Sequence, residues 1–176
     1  MQNNIIIKTG DITKENVCAI VNAANSSLMG GGCVDGAIHR AGGSAILEAC
    51  RKIRKEQYLN GLPIGEAVAT TAGDLQSKYV IHTVGPVYHS CGNRCASLLA
   101  SCYENSLKLA VKLGCKDIAF PAISTGIYGY PKSQAAHIAY KTVKDFLAKG
   151  YDLKVYFVLH NDENKEIFEK AIKAER

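Results

Sequence analysis

Short apolar runs alternate with longer segments of helical periodicity along most of this 176-residue chain. The runs are rich in Ile and Val and are bounded by turn residues, which is typical of strands. They cover residues 5–7, 19–21, 67–71, 79–84, 117–120 and 154–159. Because the runs are continuous rather than alternating with polar residues, they predict a sheet that is buried on both faces.

Two segments between these runs carry residues at intervals of three to four, the spacing of one helix face. The first contains Leu99, Cys102, Ser106, Leu109 and Leu113, and the second contains Ala135, Ala139, Val143 and Phe146. Gly114 and Gly150 lie just past these helices, where a left-handed residue is common. Asn161 is predicted to cap a last helix. Strands that alternate with helices predict a three-layer α/β/α sandwich with a largely parallel sheet.

Length and composition are those of one globular domain, which we expect to span residues 1–176. The first residues carry only three consecutive isoleucines, too few for a secretory signal, and no apolar run is long enough for a membrane span. We therefore expect a cytoplasmic protein that binds no membrane. The net charge of +5 suits an anionic ligand, although the basic run at residues 51–55 is typical of a solvated helix face.

Seven cysteines are scattered along the chain, and this odd number does not suggest a disulfide framework. Unpaired core thiols in a reducing compartment are the simpler interpretation. His89, Cys91, Cys95 and Cys102 lie close together in sequence, but they lack the paired spacing of zinc sites. We therefore predict no metal site.

Two glycine loops carry the candidate chemistry. The first lies within residues 22–43 (NAANSSLMGGGCVDGAIHRAGG), and the second is residues 124–129 (STGIYG). Three successive glycines cost much backbone entropy, so residues 30–32 favour a function that needs bare amides, such as binding a diphosphate. A tight connection without a ligand is the alternative. Both loops follow apolar strands, where ligands collect in parallel sheets.

Asp35 and Asn25 are the candidate reactive side chains. A carboxylate beside an anion-binding loop is repelled by the anion, which favours a functional role for Asp35, although an acid at a helix start also complements the helix dipole. Asn25 can orient a hydroxyl group or water, or can simply be a turn residue. The nucleotide motifs G-x-x-x-x-G-K-[ST] and G-x-G-x-x-G are absent from these positions.

Five motifs together resemble the macrodomain family, and more specifically its ADP-ribosyl hydrolases, including bacterial O-acetyl-ADP-ribose deacetylases. They are GDI at residues 10–12, VNAAN at 21–25, GGGxVDGAIH at 30–39, IHTVGP at 81–86 and FPAISTGIYGYP at 120–131. They span nearly the whole chain in order. The resemblance implies a mixed six-stranded sheet with ADP-ribose in a cleft across its top.

The resemblance also implies a role for each motif. Asp11 and the Ile12 backbone would recognise adenine, Asn25 would hold the distal ribose, and Asp35 would act on the catalytic water. The walls of the cleft would be formed by Gly31, Gly32, Cys33 and Val34 on one side and by Ser124, Thr125, Gly126, Ile127 and Tyr128 on the other. The ligand's own phosphate is an alternative base. Hydrolysis of an ester at the distal ribose needs a water delivered in line and a place for negative charge, which one carboxylate and several fixed dipoles can supply, so neither metal nor cofactor is expected.

Three residues depart from the family pattern. Ile64 replaces a threonine that is common in relatives, and we expect little consequence from it. Cys33 stands where a fourth glycine is usual, which puts rate and affinity in question. A nucleophilic thiol is disfavoured there, because no His is adjacent in sequence to activate it. His160 follows the last strand, where relatives carry an aromatic residue that stacks on adenine. It can stack in the same way or simply face solvent.

We therefore expect a monomeric hydrolase that acts on mono-ADP-ribosyl esters of proteins and on O-acetyl-ADP-ribose. A reader module that binds ADP-ribose without turnover is the second hypothesis. An RNA-associated protein is the third, but the chain lacks interleaved aromatic and basic residues.

Overall fold

The computed structural model describes residues 4–175 and contains the six strands that the apolar runs predict. They are β1 Ile5–Thr9, β2 Ala19–Ala24, β3 Ala67–Thr71, β4 Tyr79–Val84, β5 Asp117–Phe120 and β6 Lys154–Leu159. The last four have the predicted bounds, whereas β1 and β2 extend beyond them. In β2 the extension begins with Asn22, a polar residue that ends the apolar run three residues before the strand itself ends.

Five α-helices complete the alternation: α1 Cys33–Gly42, α2 Ser44–Glu56, α3 Cys95–Lys112, α4 Lys132–Leu147 and α5 Asp162–Ala174. The predicted helix ends are confirmed. Gly114 and Gly150 have φ angles of +79° and +100°, and the Asn161 side chain accepts a hydrogen bond from the Asn164 amide at 2.8 Å.

The sheet has the order β1-β6-β5-β2-β4-β3, and β3 alone of its strands runs antiparallel to its neighbour. The prediction of a mixed, largely parallel sheet is therefore confirmed. Alternate residues of the strands enter two apolar clusters, one on each face. Val21 packs with α3, α4 and α5, whereas Ile20 packs with α1 and α2. This division gives the three-layer α/β/α sandwich.

The cysteines differ from the prediction. Cys18 and Cys115 form a disulfide between the segments that lead into the neighbouring strands β2 and β5, and Cys91 and Cys95 form a second disulfide within one turn. Their Cα separations of 5.5 and 5.1 Å are within the ordinary range for a disulfide. The prediction of unpaired thiols was wrong for these four residues, because the pairing of Cys18 depends on strand order, which spacing does not show. The expectation of a reducing compartment rested on unpaired thiols, so these two disulfides remove its basis.

Within the described residues, no helix is both long and apolar enough to cross a membrane.

Candidate functional site

The carboxyl ends of five parallel strands meet at one edge of the sheet. The residues that follow them, in the spatial order of the strands, are Asp11, His160, Ser124, Asn25 and Gly85. All of the predicted site segments begin at this edge, so the fold brings them together as expected. Such an edge is where open α/β sheets bind ligands.

The first loop connects β2 to α1, and no side chain of the described residues caps the first amides of that helix. Asn25 Oδ1 accepts a hydrogen bond from the Ser27 amide at 3.0 Å, and Asn25 Nδ2 donates to the Gly30 carbonyl oxygen at 3.0 Å. Gly32 caps α1 through its backbone alone. The amides at the start of a helix have no partner within the helix, so this end of α1 can bind an anion.

The second loop follows β5 and exposes further amides. Two backbone hydrogen bonds close it, from Gly129 to Gly126 at 3.0 Å and from Tyr130 to Ser124 at 2.9 Å. Within residues 4–175, no acceptor is found for the amides of Thr125, Gly126, Ile127 and Tyr128. Ile127 is 93% exposed at the tip of the loop. Successive free amides in one turn are a second anion-binding element.

Backbone strain coincides with these two loops. Among the described residues, the three non-glycine residues with positive φ are Leu28, Cys33 and Ser124, at +59°, +53° and +66°. Two lie at the first loop and one begins the second. Strained conformations of this kind collect at functional sites. At Cys33, this backbone conformation is one that glycine would adopt at lower cost.

Asp35 is the buried charge of the site, at 5% exposure in the first turn of α1. Its Oδ1 accepts a hydrogen bond from Asn22 Nδ2 at 2.8 Å. His39 Nε2 lies 3.4 Å from the same oxygen, within ion-pair distance but without a hydrogen bond. Burial raises the pKa of Asp35, and the Asn22 hydrogen bond and the His39 charge oppose that rise. A carboxylate of raised pKa is a stronger base near neutral pH.

Gly31 provides the space on the other side of this carboxylate. A Cβ atom at Gly31 would lie 3.1 Å from Asp35 Oδ2 and 3.3 Å from Asn25 Nδ2. The free oxygen of Asp35 and the Asn25 amide therefore both border the gap that Gly31 leaves open. One hydrogen of Asn25 Nδ2 binds Gly30, and the second is available to a ligand in that gap.

Asp11 and His160 lie at the other end of the edge. Asp11 is exposed, and its Oδ1 accepts from both the Thr13 amide and the Thr13 hydroxyl group, at 3.0 and 2.6 Å. The hydroxyl hydrogen bond lowers the pKa of Asp11, so Asp11 is an anionic acceptor. His160 is exposed beside Asn161. The adenine-binding roles of Asp11 and His160 stay predictions.

Three polar residues were missed as site residues: Asn22, His39 and His82. Asn22 and His82 interrupt the apolar runs of β2 and β4, and a polar residue inside a buried strand is the signal that could have identified them. Asn22 and His82 are both 0% exposed, and His39 is half-buried. Asn22 and His39 contact Asp35, and His82 contacts Asn22.

Among the described residues, one cluster could hold a metal ion by residue type: His39, Cys50 and His82, with ligand atoms within 4.8 Å of one another. Zinc bonds of 2.0–2.3 Å require ligand atoms to lie roughly 3.5 Å apart. His82 Nε2 lies 3.8 Å from Cys50 Sγ, close to that separation, but it also lies 2.9 Å from Thr70 Oγ1, within hydrogen-bond distance. As folded, this nitrogen of His82 is paired with Thr70 rather than available to a metal ion. Cys91 and Cys95, weighed above as metal ligands, are bonded to each other.

An open groove of about 420 Å³ lies elsewhere, between α3 and α4. Its lining includes Ala100, Ile138 and Phe146, on the opposite face of the sheet from Asp35. It contains neither of the loops with free amides, so we place the site at the strand edge.

The Macro domain family profile matches residues 21–139, which include Asn25, Asp35 and the second loop. The chain belongs to the macrodomain family. An O-acetyl-ADP-ribose deacetylase of Escherichia fergusonii is 51% identical over 173 residues, which cover 98% of this chain and 97% of that protein.

Solved macrodomains have the same fold. A macrodomain of Oceanobacillus iheyensis with ADP superposes with a TM-score of 0.94 at 44% identity, covering 96% of this chain and 90% of that one. A Trypanosoma brucei macrodomain in complex with ADP-ribose gives a TM-score of 0.86 at 38% identity, covering 96% and 69%. The fold and family predicted from the motifs are therefore confirmed.

Proposed function

We propose that this macrodomain binds ADP-ribose and hydrolyses esters at its distal ribose. The substrates are O-acetyl-ADP-ribose and mono-ADP-ribosyl esters of protein Asp and Glu side chains. The observation that carries the proposal is the buried Asp35 carboxylate, which has one oxygen fixed by Asn22 and the other facing the gap beside Gly31. The similarity to the named deacetylase supports the same activity.

The order of the strands supports an extended nucleotide ligand. Asp11 and His160 would contact adenine at the β1 and β6 end of the edge. The amides of residues 124–128 and 31–34 would bind the diphosphate from two sides. Asn25 and Asp35 would meet the distal ribose, because β2 lies next to β5 in the sheet.

The reaction needs a water molecule between Asp35 and the ester. Asp35 Oδ2 accepts a proton from that water as its oxygen attacks, and the free loop amides stabilise negative charge on the ligand. For the acetyl ester, the water oxygen bonds to the acyl carbon, the bond from that carbon to the ribose oxygen breaks, and the ribose oxygen takes a proton. The products are acetate, a proton and free ADP-ribose. These groups supply the base and the electrostatic stabilisation without a metal ion or another cofactor.

Turnover distinguishes this function from that of a reader module. The protein, treated with a chelator, is mixed with O-acetyl-ADP-ribose and with an ester-linked mono-ADP-ribosylated protein, and acetate and ADP-ribose are quantified. We expect release from both substrates at a rate that the chelator does not change. Binding of ADP-ribose with no release from either ester would support the reader instead.

A further inference from the structure

A buried chain of hydrogen bonds leads from the interior of the sheet to Asp35. It passes from Thr70 of β3 to His82 of β4, then to Asn22 of β2, and ends on the Asp35 carboxylate. Asn22 and His82 are 0% exposed and Thr70 is 5% exposed. Three neighbouring strands therefore contribute to the hold on one carboxylate in α1.

The neighbours of Asn22 determine which way its amide faces. Its Nδ2 atom lies 2.8 Å from Asp35 Oδ1 and 3.1 Å from His82 Nδ1. An ionised carboxylate only accepts hydrogen bonds, so the amino group and not the carbonyl oxygen must face it. The second hydrogen then goes to His82 Nδ1, which must be the unprotonated ring nitrogen.

The far end of the chain requires the same tautomer. The Thr70 hydroxyl group donates to the Thr71 carbonyl oxygen at 2.9 Å, which leaves its oxygen to accept from His82 Nε2 at 2.9 Å. The proton of the neutral ring is therefore on Nε2. Asn22 Oδ1 is buried without a partner in the described part of the chain. A flipped amide would turn that oxygen toward two acceptors, so the observed orientation is the better one.

We propose that His82 is a positioning residue: by accepting one hydrogen bond from Asn22, it holds the other on Asp35 Oδ1 and keeps Oδ2 directed at the cleft. This inference rests on the proposed function, in which Asp35 acts on water. It adds a residue that touches neither the substrate nor the water.

The ionisable groups around the network are consistent with this role. They are His39 on the helix of Asp35, His82 on β4 and Cys50 on α2. Burial lowers the pKa of His82 to about 3 and raises the pKa of Cys50 to about 11. The imidazole is therefore an acceptor rather than a cation near neutral pH, and the thiol is uncharged.

Three variants separate the acceptor from its surroundings. His82→Leu removes the acceptor, and His82→Asn retains an oxygen near the position of Nδ1. Thr83→Val is the matched control, because Thr83 is buried on the same strand and its hydroxyl group donates to the Glu66 carbonyl oxygen at 2.8 Å. Its side chain points to the other face of the sheet, since successive strand residues alternate.

The test is the titration of the Asp35 carboxyl carbon by NMR in proteins without ligand, with the resonance assigned by Asp35→Asn. In His82→Leu the pKa of Asp35 should rise by about one pH unit, because the hydrogen bond to the charged form is weakened. His82→Asn and Thr83→Val should match the wild type. In turnover assays, the acidic limb of the kcat profile should move with the pKa while KM stays constant.

Two outcomes would overturn the inference: an unchanged Asp35 pKa in His82→Leu, or an equal rise in Thr83→Val. If the leucine variant does not fold, Thr70→Val gives the decision, because it removes the acceptor that holds the His82 proton and should raise the Asp35 pKa by a smaller amount. An unchanged pKa there would also contradict the proposal. If the Asp35 titrations come out as expected but the wild type shows no turnover, the proposed function is refuted and the role of His82 in holding Asp35 stands.

Discussion

Acid should destabilise this protein through His82. The imidazole is fully buried and neutral in the folded state, with its pKa lowered to about 3 by burial, whereas an unfolded chain has the ordinary value of about 6.5. Between those values the unfolded state binds one more proton than the folded state. Stability therefore rises with pH across this window and is lost as the pH falls below about 6.5.

The size of the effect follows from the two pKa values. Each pH unit within the window changes the free energy of unfolding by about 1.4 kcal/mol. From pH 7 to pH 5, His82 alone should cost about 2 kcal/mol, a large part of the roughly 5–15 kcal/mol by which domains are stable. With an ordinary dependence on urea, the midpoint of unfolding should fall by roughly 1 M.

Urea unfolding at pH 7 and pH 5 measures this loss in the wild type and in His82→Asn. The asparagine variant lacks the titrating ring but retains an acceptor for Asn22, so the environment of Asp35 is preserved. His89→Asn removes an exposed histidine and serves as the control. The pH-dependent loss should be about 2 kcal/mol smaller in His82→Asn than in the other two proteins. An equal loss in all three would refute the assignment of a neutral buried imidazole.

Three further predictions concern the loops and the disulfides. Gly31→Ala places a methyl carbon 3.1 Å from Asp35 Oδ2 and should lower kcat by about tenfold or more, because it displaces the groups that the proposed reaction needs. In Gly32→Ala the added carbon meets no atom of the described residues within 4 Å, and an equal loss of kcat there would contradict this reason. Cys33 has a φ of +53°, which glycine adopts without strain and a β-branched residue adopts at a cost. Cys33→Gly should change the free energy of unfolding by no more than about 1 kcal/mol, whereas Cys33→Val should lower it by about 1–2 kcal/mol. Urea unfolding measures both, and an unchanged stability in Cys33→Val would contradict the strain. A disulfide that closes a longer loop removes more conformational entropy from the unfolded chain. Replacing both cysteines of Cys18–Cys115, separated by 97 residues, should therefore lower the free energy of unfolding by about 4–5 kcal/mol, against about 2 kcal/mol for Cys91–Cys95, separated by 4. Equal losses in thermal or urea unfolding would contradict this reason.

Strand positions could be predicted because each strand contains an apolar run that turn residues bound. Helix ends were equally accessible, since Gly114, Gly150 and Asn161 adopt the cap conformations that their residue types favour. The family motifs predicted that the site segments lie together at one edge of the sheet. These features depend on local chemistry or on motifs, which a single sequence contains in full.

The network behind Asp35 could not be predicted in the same way. Asn22 and His82 come from different strands, and their contact exists only because β2 pairs with β4 in a register that places them opposite each other. The Cys18–Cys115 disulfide has the same origin, because it depends on β2 lying beside β5. A polar residue within a buried strand marks a candidate, but only the sheet order supplies its partner.

Asp35→Asn tests the central claim most directly. The asparagine retains an oxygen for the Asn22 hydrogen bond but cannot take a proton from water. Hydrolysis of O-acetyl-ADP-ribose is measured beside the dissociation constant for ADP-ribose. We expect kcat to fall by about 10² or more, the usual contribution of a general base, with ADP-ribose binding retained. An unchanged rate with unchanged binding would contradict the role of Asp35.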